Sequence, residues 1–333
     1  MCGSYLNKTE QRRQRRFSSG FPARLVGLAF VLAVLRGDAR DETPDRVPMA
    51  ERVAAIRYVP VRLAAWDAPK GWRLTGAWSV TVADPRFGGL SALHAAGGGR
   101  LIGLTDSGVI VDFPEPRSAQ QGGHAGLSEL IGGPGYPTYK KYRDSEAMVV
   151  ARGAKRPRLV TFEHRHSLWR FDARGGSGVR LPAAQWSPNS GVEAMGFDPV
   201  DGALLLLPEH GGEVLRQVGS GRFRSVPMRG AVGSPTDLVA LPDGRMVAAL
   251  RQIGVTGVRN HLAWFERLGP DYAMRPFAIL PLGGSDNVEG LAAEPVPGGG
   301  TILWAITDND GSRRTLLIRL ELDATKAPAG TGA

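Results

Sequence analysis

Cysteine is all but absent from this chain of 333 residues: the one cysteine, Cys2, comes before everything that reads as folded protein. A disulfide scaffold, a cysteine-ligated zinc and a thiol nucleophile are thereby excluded. A lipid-bearing cysteine follows its apolar leader, so Cys2, which lies ahead of one, is not a lipoprotein anchor. Long apolar runs are also lacking. The run from Leu25 to Leu35 is eleven residues, whereas a membrane-spanning helix takes about 20. The glycine triplets Gly97 to Gly99 and Gly298 to Gly300 have no phosphate-loop lysine behind them, so they read as hairpin turns.

What basic charge there is lies mostly at one end. Lys8, Arg12, Arg13, Arg15, Arg16, Arg24, Arg36 and Arg40 face only Glu10 and Asp38, so the first forty residues hold +6 of the formal +9. A basic stretch followed by a short apolar run is the pattern of a bacterial export signal. Arg15-Arg16-Phe17 loosely resembles a twin-arginine signal, with different spacing. Residues 1–40 are thus expected to be an export signal or N-terminal anchor, 41–51 a linker, 52–322 the folded domain and 323–333 a disordered tail. The expected location is periplasmic or secreted, with no membrane contact beyond the signal. About +3 remains for the rest, without the basic, aromatic-interleaved face that nucleic acid requires. Lys140-Lys141-Tyr142-Arg143 and Lys155-Arg156-Pro157-Arg158 read as solvated loops.

Glycine (45) and proline (24) are plentiful and 42% of residues are hydrophobic, as expected of many short strands joined by tight turns. Five times a polar residue opens a short apolar strand, and 14 to 19 residues later a second strand ends on another polar residue. The openers are Ser91, Glu146, Glu193, Asp237 and Glu289. The closers are Asp106, Glu163, Glu209, Arg251 and Asp308. If the two strands of each unit pair antiparallel, opener and closer lie side by side. Units 43 to 57 residues apart with several strands each predict an all-β fold, a β-propeller of five four-stranded blades with room for a sixth. The last unit offers three strands, and Trp72 to Val82 is expected to supply its fourth, closing the ring by pairing the two chain ends.

Such a ring gathers Glu146, Glu193, Asp237 and Glu289 at one mouth, a repulsive arrangement that a divalent cation relieves. Calcium suits an irregular oxygen-rich set, so these residues and Asp308 are expected metal ligands, with Asn309 and Asp310 as further oxygen donors. Arg251, His164 and His210 are expected to orient a small anionic ester and move protons. Each carboxylate has a plainer reading as a tie to neighbouring backbone or to an arginine. Ser91 lacks the second glycine of a G-x-S-x-G elbow. The chemistry points either to a metal-dependent hydrolase or to a non-catalytic binding propeller of the cell envelope, in both cases a monomer.

The segments FGGLSAL, LIGLTDSG, DSEAMVV, GVEAMGF, DNVEGLAA and LWAITDND, in this order, resemble the family called esterase-like activity of phytase, over residues 52 to 322. The resemblance implies an exported bacterial β-propeller with phytase-like or esterase-like activity. It extends in outline to the β-propeller phytases, which hydrolyse phosphate esters with calcium-bound carboxylates, although their motifs do not map onto individual residues of this chain.

Overall fold

The computed structural model describes residues 46–116, 122–151, 156–182, 186–296, 298–308 and 314–323. The expected export signal lies outside them, as does the expected tail from residue 324 onward.

No α-helix occurs among the described residues. The strands begin with β1 (Arg52–Pro60) and β2 (Trp72–Val82). Four meanders follow. The first is β3 (Leu90–Ala95), β4 (Arg100–Thr105), β5 (Val109–Pro114) and β6 (Gly122–Glu129). The second is β7 (Ser145–Val150), β8 (Arg158–Phe162), β9 (Ser167–Asp172) and β10 (Gly175–Arg180). The third is β11 (Val192–Phe197), β12 (Leu204–Pro208), β13 (Glu213–Gly219) and β14 (Arg222–Arg229). The fourth is β15 (Ser234–Ala240), β16 (Met246–Gly254), β17 (Gly257–Leu268) and β18 (Asp271–Ile279). The chain ends with β19 (Asn287–Pro295), β20 (Thr301–Asp308) and β21 (Thr315–Leu322).

Within each meander consecutive strands pair antiparallel. β21 pairs with β2, from Trp72↔Leu322 to Val80↔Thr315, as expected from the sequence. β1 then joins β2 to the edge of β6, and a two-residue parallel contact joins β14 to β18. The first strands β3, β7, β11, β15 and β19 are successive neighbours, and β19 also lies against β3. The fold is a β-propeller. β1 and β6 lie side by side in one sheet, between β2 and β5.

Burial follows strand position. β1 alternates, with Ala54, Ile56 and Tyr58 inward, whereas β12 is buried throughout because it is sandwiched between neighbouring sheets. Core clusters bridge successive units: Leu104, Ile110, Met148, Val160 and Phe162 pack together, as do Leu262, Trp264, Leu303 and Ile318. Each fully buried leucine contributes about 1.5–3 kcal/mol.

One irregularity recurs. The register slips near the start of every first strand: between Leu90 and Ala92, Ser145 and Met148, Val192 and Ala194, Pro235 and Asp237, and Val288 and Gly290. A β-bulge leaves the extra residue out of the ladder and re-aims its side chain. The sequence predicts the fourth unit to begin near residue 235, and β15 begins there, at Ser234, and takes up this extra residue.

Candidate functional site

The bulges decide which side chains face the mouth. Ser91, Glu193, Thr236 and Glu289 are the extra residues in their strands, and in β7 the slip covers Glu146 and Ala147. The two hydroxyls stitch neighbours together. Ser91 Oγ donates to the Ser145 carbonyl at 2.6 Å, and Thr236 Oγ1 to the Val288 carbonyl at 2.7 Å. Three glutamates remain: Glu146, Glu193 and Glu289.

Asp237, expected in the same set, sits one residue past its bulge. Its Oδ1 accepts from the Leu238 amide at 2.7 Å and its Oδ2 from the Leu291 amide at 2.6 Å, which ties β15 to β19. The plainer reading of a strand-opening carboxylate describes this residue.

Arg251 lies between two acids from different units. Its Nη1 donates to Glu289 Oε1 at 2.8 Å and its Nη2 to Glu209 Oε1 at 3.0 Å. Asn287 Nδ2 donates to the same Glu289 oxygen, while Asn287 Oδ1 and Arg251 Nε are buried with no hydrogen-bond partner.

The charges report convergence. Burial, followed by the charges of Glu193, Asp144, Glu163 and Glu289, pushes the Glu146 carboxyl well above the usual range. Its side chain keeps some accessible surface, but protein surrounds it densely enough for burial to dominate. Glu193 rises for the same reason, with Glu289, Glu209 and Glu163 adding to burial and Arg251 opposing them. Burial and Asp144 raise Glu163 to about 7. Gly191 makes room for it, since a Cβ there would stand 3.1 Å from Glu163 Cγ.

Beside this ring, Asp144, Glu163 and His164 each place a donor atom within 4.8 Å of the others. His164 Nε2 lies 3.3 Å from Asp144 Oδ2, and Lys140 Nζ lies 3.2 Å from Asp144 and 2.9 Å from Asp106. Burial opposes ionisation of Asp144, yet the hydrogen bond from His164 and the charge of Lys140 hold it below its usual value. Lys140 and Asp144 do not stand out in the sequence. A single 3₁₀ turn, Lys140–Tyr142, brings the lysine, which stays exposed as expected, to ion-pair distance of Asp106 and Asp144.

The other expected residues are placed less centrally. His210 Nε2 lies 3.2 Å from Glu213 Oε1, and its ring packs edge-on against Trp186 with centroids 5.7 Å apart. Together with Glu209 and Arg251 it lines a groove of about 460 Å³. Asp308, opposite Asn287 in register, lines a cleft of about 820 Å³ with Asp106 and Phe87. Asn309 and Asp310 lie outside the described residues.

The sequence pattern of the family described as Phytase-like, esterase-like activity of phytase, matches residues 85–311, more than half of the chain. This chain belongs to the Phytase-like family. No curated protein sequence matches it significantly. Solved structures with a similar path include a virginiamycin B lyase from Staphylococcus aureus, at 12% identity over 82% of this chain and 99% of that one, TM-score 0.44. A streptogramin B lyase has 11% identity over 81% and 98%, TM-score 0.43. A provisionally assigned gluconolactonase has 13% identity over 87% and 99%, TM-score 0.45.

The matched segment of this Phytase-like chain runs from just before β3 to just past β20, so it contains the three bulge glutamates, Arg251 and the Asp144 cluster. Their donor set is carboxylate and amide oxygen with one imidazole. Such a set suits a hard divalent cation better than a soft one.

Proposed function

We propose that this Phytase-like propeller is a hydrolase of esters or phosphoesters, exported by its N-terminal segment and acting as a monomer in the periplasm or outside the cell. Its chemistry takes place where Glu146, Glu193 and Glu289 converge on Arg251. The strand pairing supports a count of five blades, the last closed by β2.

The observation that carries this reading is the mutual charge coupling of acids from separate blades: Glu146 responds to Glu193, Glu163 and Glu289 together. Acids so placed repel one another, and retaining them in a stable fold calls for a positive partner beyond Arg251. A divalent cation, calcium by its oxygen preference, meets that need. Glu146, Glu193 and Glu289 would hold it, with Asn287 Oδ1 as a neutral oxygen donor that has no partner in the fold. Asp237 and Asp308 stand at the edge of this set. Such a cation, when bound, polarises the ester oxygen and acidifies an attacking water.

The chain's own groups supply the remainder. Glu163, near 7, is suited to take a proton from water and return it at neutral pH. Asp144 orients His164 beside it. Arg251 anchors Glu209 and Glu289 at the mouth. His210 stands farther out, at the rim of the groove.

The test is turnover of p-nitrophenyl acetate, p-nitrophenyl phosphate and a lactone by protein lacking residues 1–40, with calcium and with chelator. Calcium-dependent turnover of any of them is expected. Absence of turnover under all conditions would leave the binding propeller as the better reading.

A further inference from the structure

We propose that the end of the propeller axis away from the glutamate mouth holds a second site, a pocket for a small apolar monocarboxylate whose charged group meets His94 and Arg158. The proposal goes beyond the hydrolase reading and does not depend on it.

The first observation is a pocket. The first strands β3, β7, β11, β15 and β19 carry their bulges near the mouth, and later residues of all five, among them Met148, Leu238 and Leu291, enclose a pocket of about 190 Å³. A cavity of about 150 Å³ lined by aliphatic and aromatic side chains takes a benzene ring, so this one has room for a single ring or a short alkyl chain. Asp237 also lines it. Both of its oxygens accept backbone amides, and burial pushes its carboxyl well above the usual range.

The second observation is a pair of orphaned donors beside that pocket. His94 is one of the lining residues, and its Nε2 is buried with no hydrogen-bond partner among the described residues. Arg158 stands opposite the wall residue Val150 in the β7–β8 ladder, so these two side chains share a sheet face. That face packs against the one carrying His94: Ala92, two residues before His94, and Val160, two residues after Arg158, belong to one core cluster. Arg158 Nε is buried and unpartnered in the same way. Burial holds this guanidinium below its ordinary pKa, and Asp112 only partly offsets it. Asp112 is itself taken by Arg100 Nε at 2.8 Å.

Buried donors left without an acceptor are costly, and here two of them border an apolar pocket. Burial, followed by the charges of Arg156 and Arg158, lowers His94 to about 4, so at neutral pH its ring is uncharged and offers one N–H. The oxygens of a carboxylate accept from His94 Nε2 and Arg158 Nε, and the charge-assisted bond to the arginine is the stronger of the two. The apolar body of the ligand lies along the axis against Met148, Leu238 and Leu291. Inorganic phosphate brings the charge without a body to fill the pocket.

The test is calorimetric titration of the full chain with benzoate, beside benzyl alcohol, acetate and inorganic phosphate, in chelator so that no cation at the mouth competes for the carboxylate. Benzoate is expected to bind roughly tenfold or more tightly than each of the other three. Its ring is expected to shift the methyl resonance of Met148, identified as the signal lost in Met148→Leu. Arg158→Met is expected to weaken benzoate roughly tenfold and to leave benzyl alcohol unchanged. It is also expected to melt no lower than the parent, because the charge it removes has no ion pair among the described residues. His94→Leu is a second variant with the same selective loss expected. Benzoate that binds no more tightly than acetate or benzyl alcohol, or that saturates without moving the Met148 methyl, would overturn the proposal. Unchanged benzoate binding in both variants would do the same, as would phosphate binding as tight as that of benzoate. Each of these results leaves the hydrolase reading standing.

Discussion

Arg251 on β16 and Glu289 on β19 meet at 2.8 Å across two units of the propeller, and the second arm of the same guanidinium reaches Glu209 at 3.0 Å. Two strands and the turn after β12, far apart in sequence, are thereby fastened at one point of the mouth. The pair is mostly buried, with side-chain exposures of 19% and 10%.

Arg251→Met leaves two carboxylates facing each other without their shared cation. Breaking a buried pair by removing one partner costs about 3–5 kcal/mol, and the partial exposure of Arg251 places the expected loss near the lower bound. Urea unfolding at neutral pH measures it. Added calcium is expected to recover part of the loss, because it replaces the missing positive charge.

Acid is expected to stabilise the cation-free protein. Glu163 holds its proton up to about 7, whereas an ordinary glutamate loses it at 4.5. The folded state therefore binds more protons than the unfolded state between these values, and stability falls as pH rises from about 4.5 through about 7. Melting temperature against pH should show this decline, and Glu163→Gln should lessen it, Glu146 and Glu193 supplying the rest. A wild-type curve that rises across the same window contradicts the assignment.

Ser91 donates its hydroxyl to the Ser145 carbonyl instead of attacking a substrate. Ser91→Ala is expected to cost about 1 kcal/mol, the net worth of one buried hydrogen bond, and to leave ester turnover intact. Loss of turnover without loss of stability would give Ser91 a role in the chemistry and contradict this assignment.

Thr236→Val tests the bulge itself. It leaves the buried Val288 carbonyl without the Thr236 hydroxyl, an expected cost of about 1–3 kcal/mol. Chemical denaturation of the variant checks it. No loss of stability would mean that the β15 bulge contributes nothing to the join with β19.

The strands were the legible part. β2 begins and ends where the sequence predicts it, Trp72–Val82, and pairs with β21 of the last unit. Their pairing was also readable, since the last unit lacks a strand. The bulges were not readable. Thr236 and Asp237 are adjacent polar residues, and composition does not say which one leaves the ladder. Both turn out to tie β15 to β19, Thr236 through the Val288 carbonyl and Asp237 through the Leu291 amide.

The two Glu-His motifs read alike in sequence but are placed differently. Glu163 and His164 stay together beside Asp144, whereas Glu209 reaches Arg251 while His210 turns to Glu213 and Trp186. Lys140 and Asp144 escaped notice because their place at the mouth depends on one short 3₁₀ turn in a loop that otherwise resembles solvated surface.

The most direct measurement of the central claim is calorimetric titration of calcium into protein lacking residues 1–40, beside the same titration of Glu193→Gln. Saturable binding to the first is expected, with affinity reduced roughly tenfold or more in the second. Without calcium the variant should melt no lower than the parent, since the neutral amide removes repulsion from the ring. A parent that binds no calcium, together with a variant that unfolds at markedly lower temperature, would contradict the account and make these acids part of the scaffold.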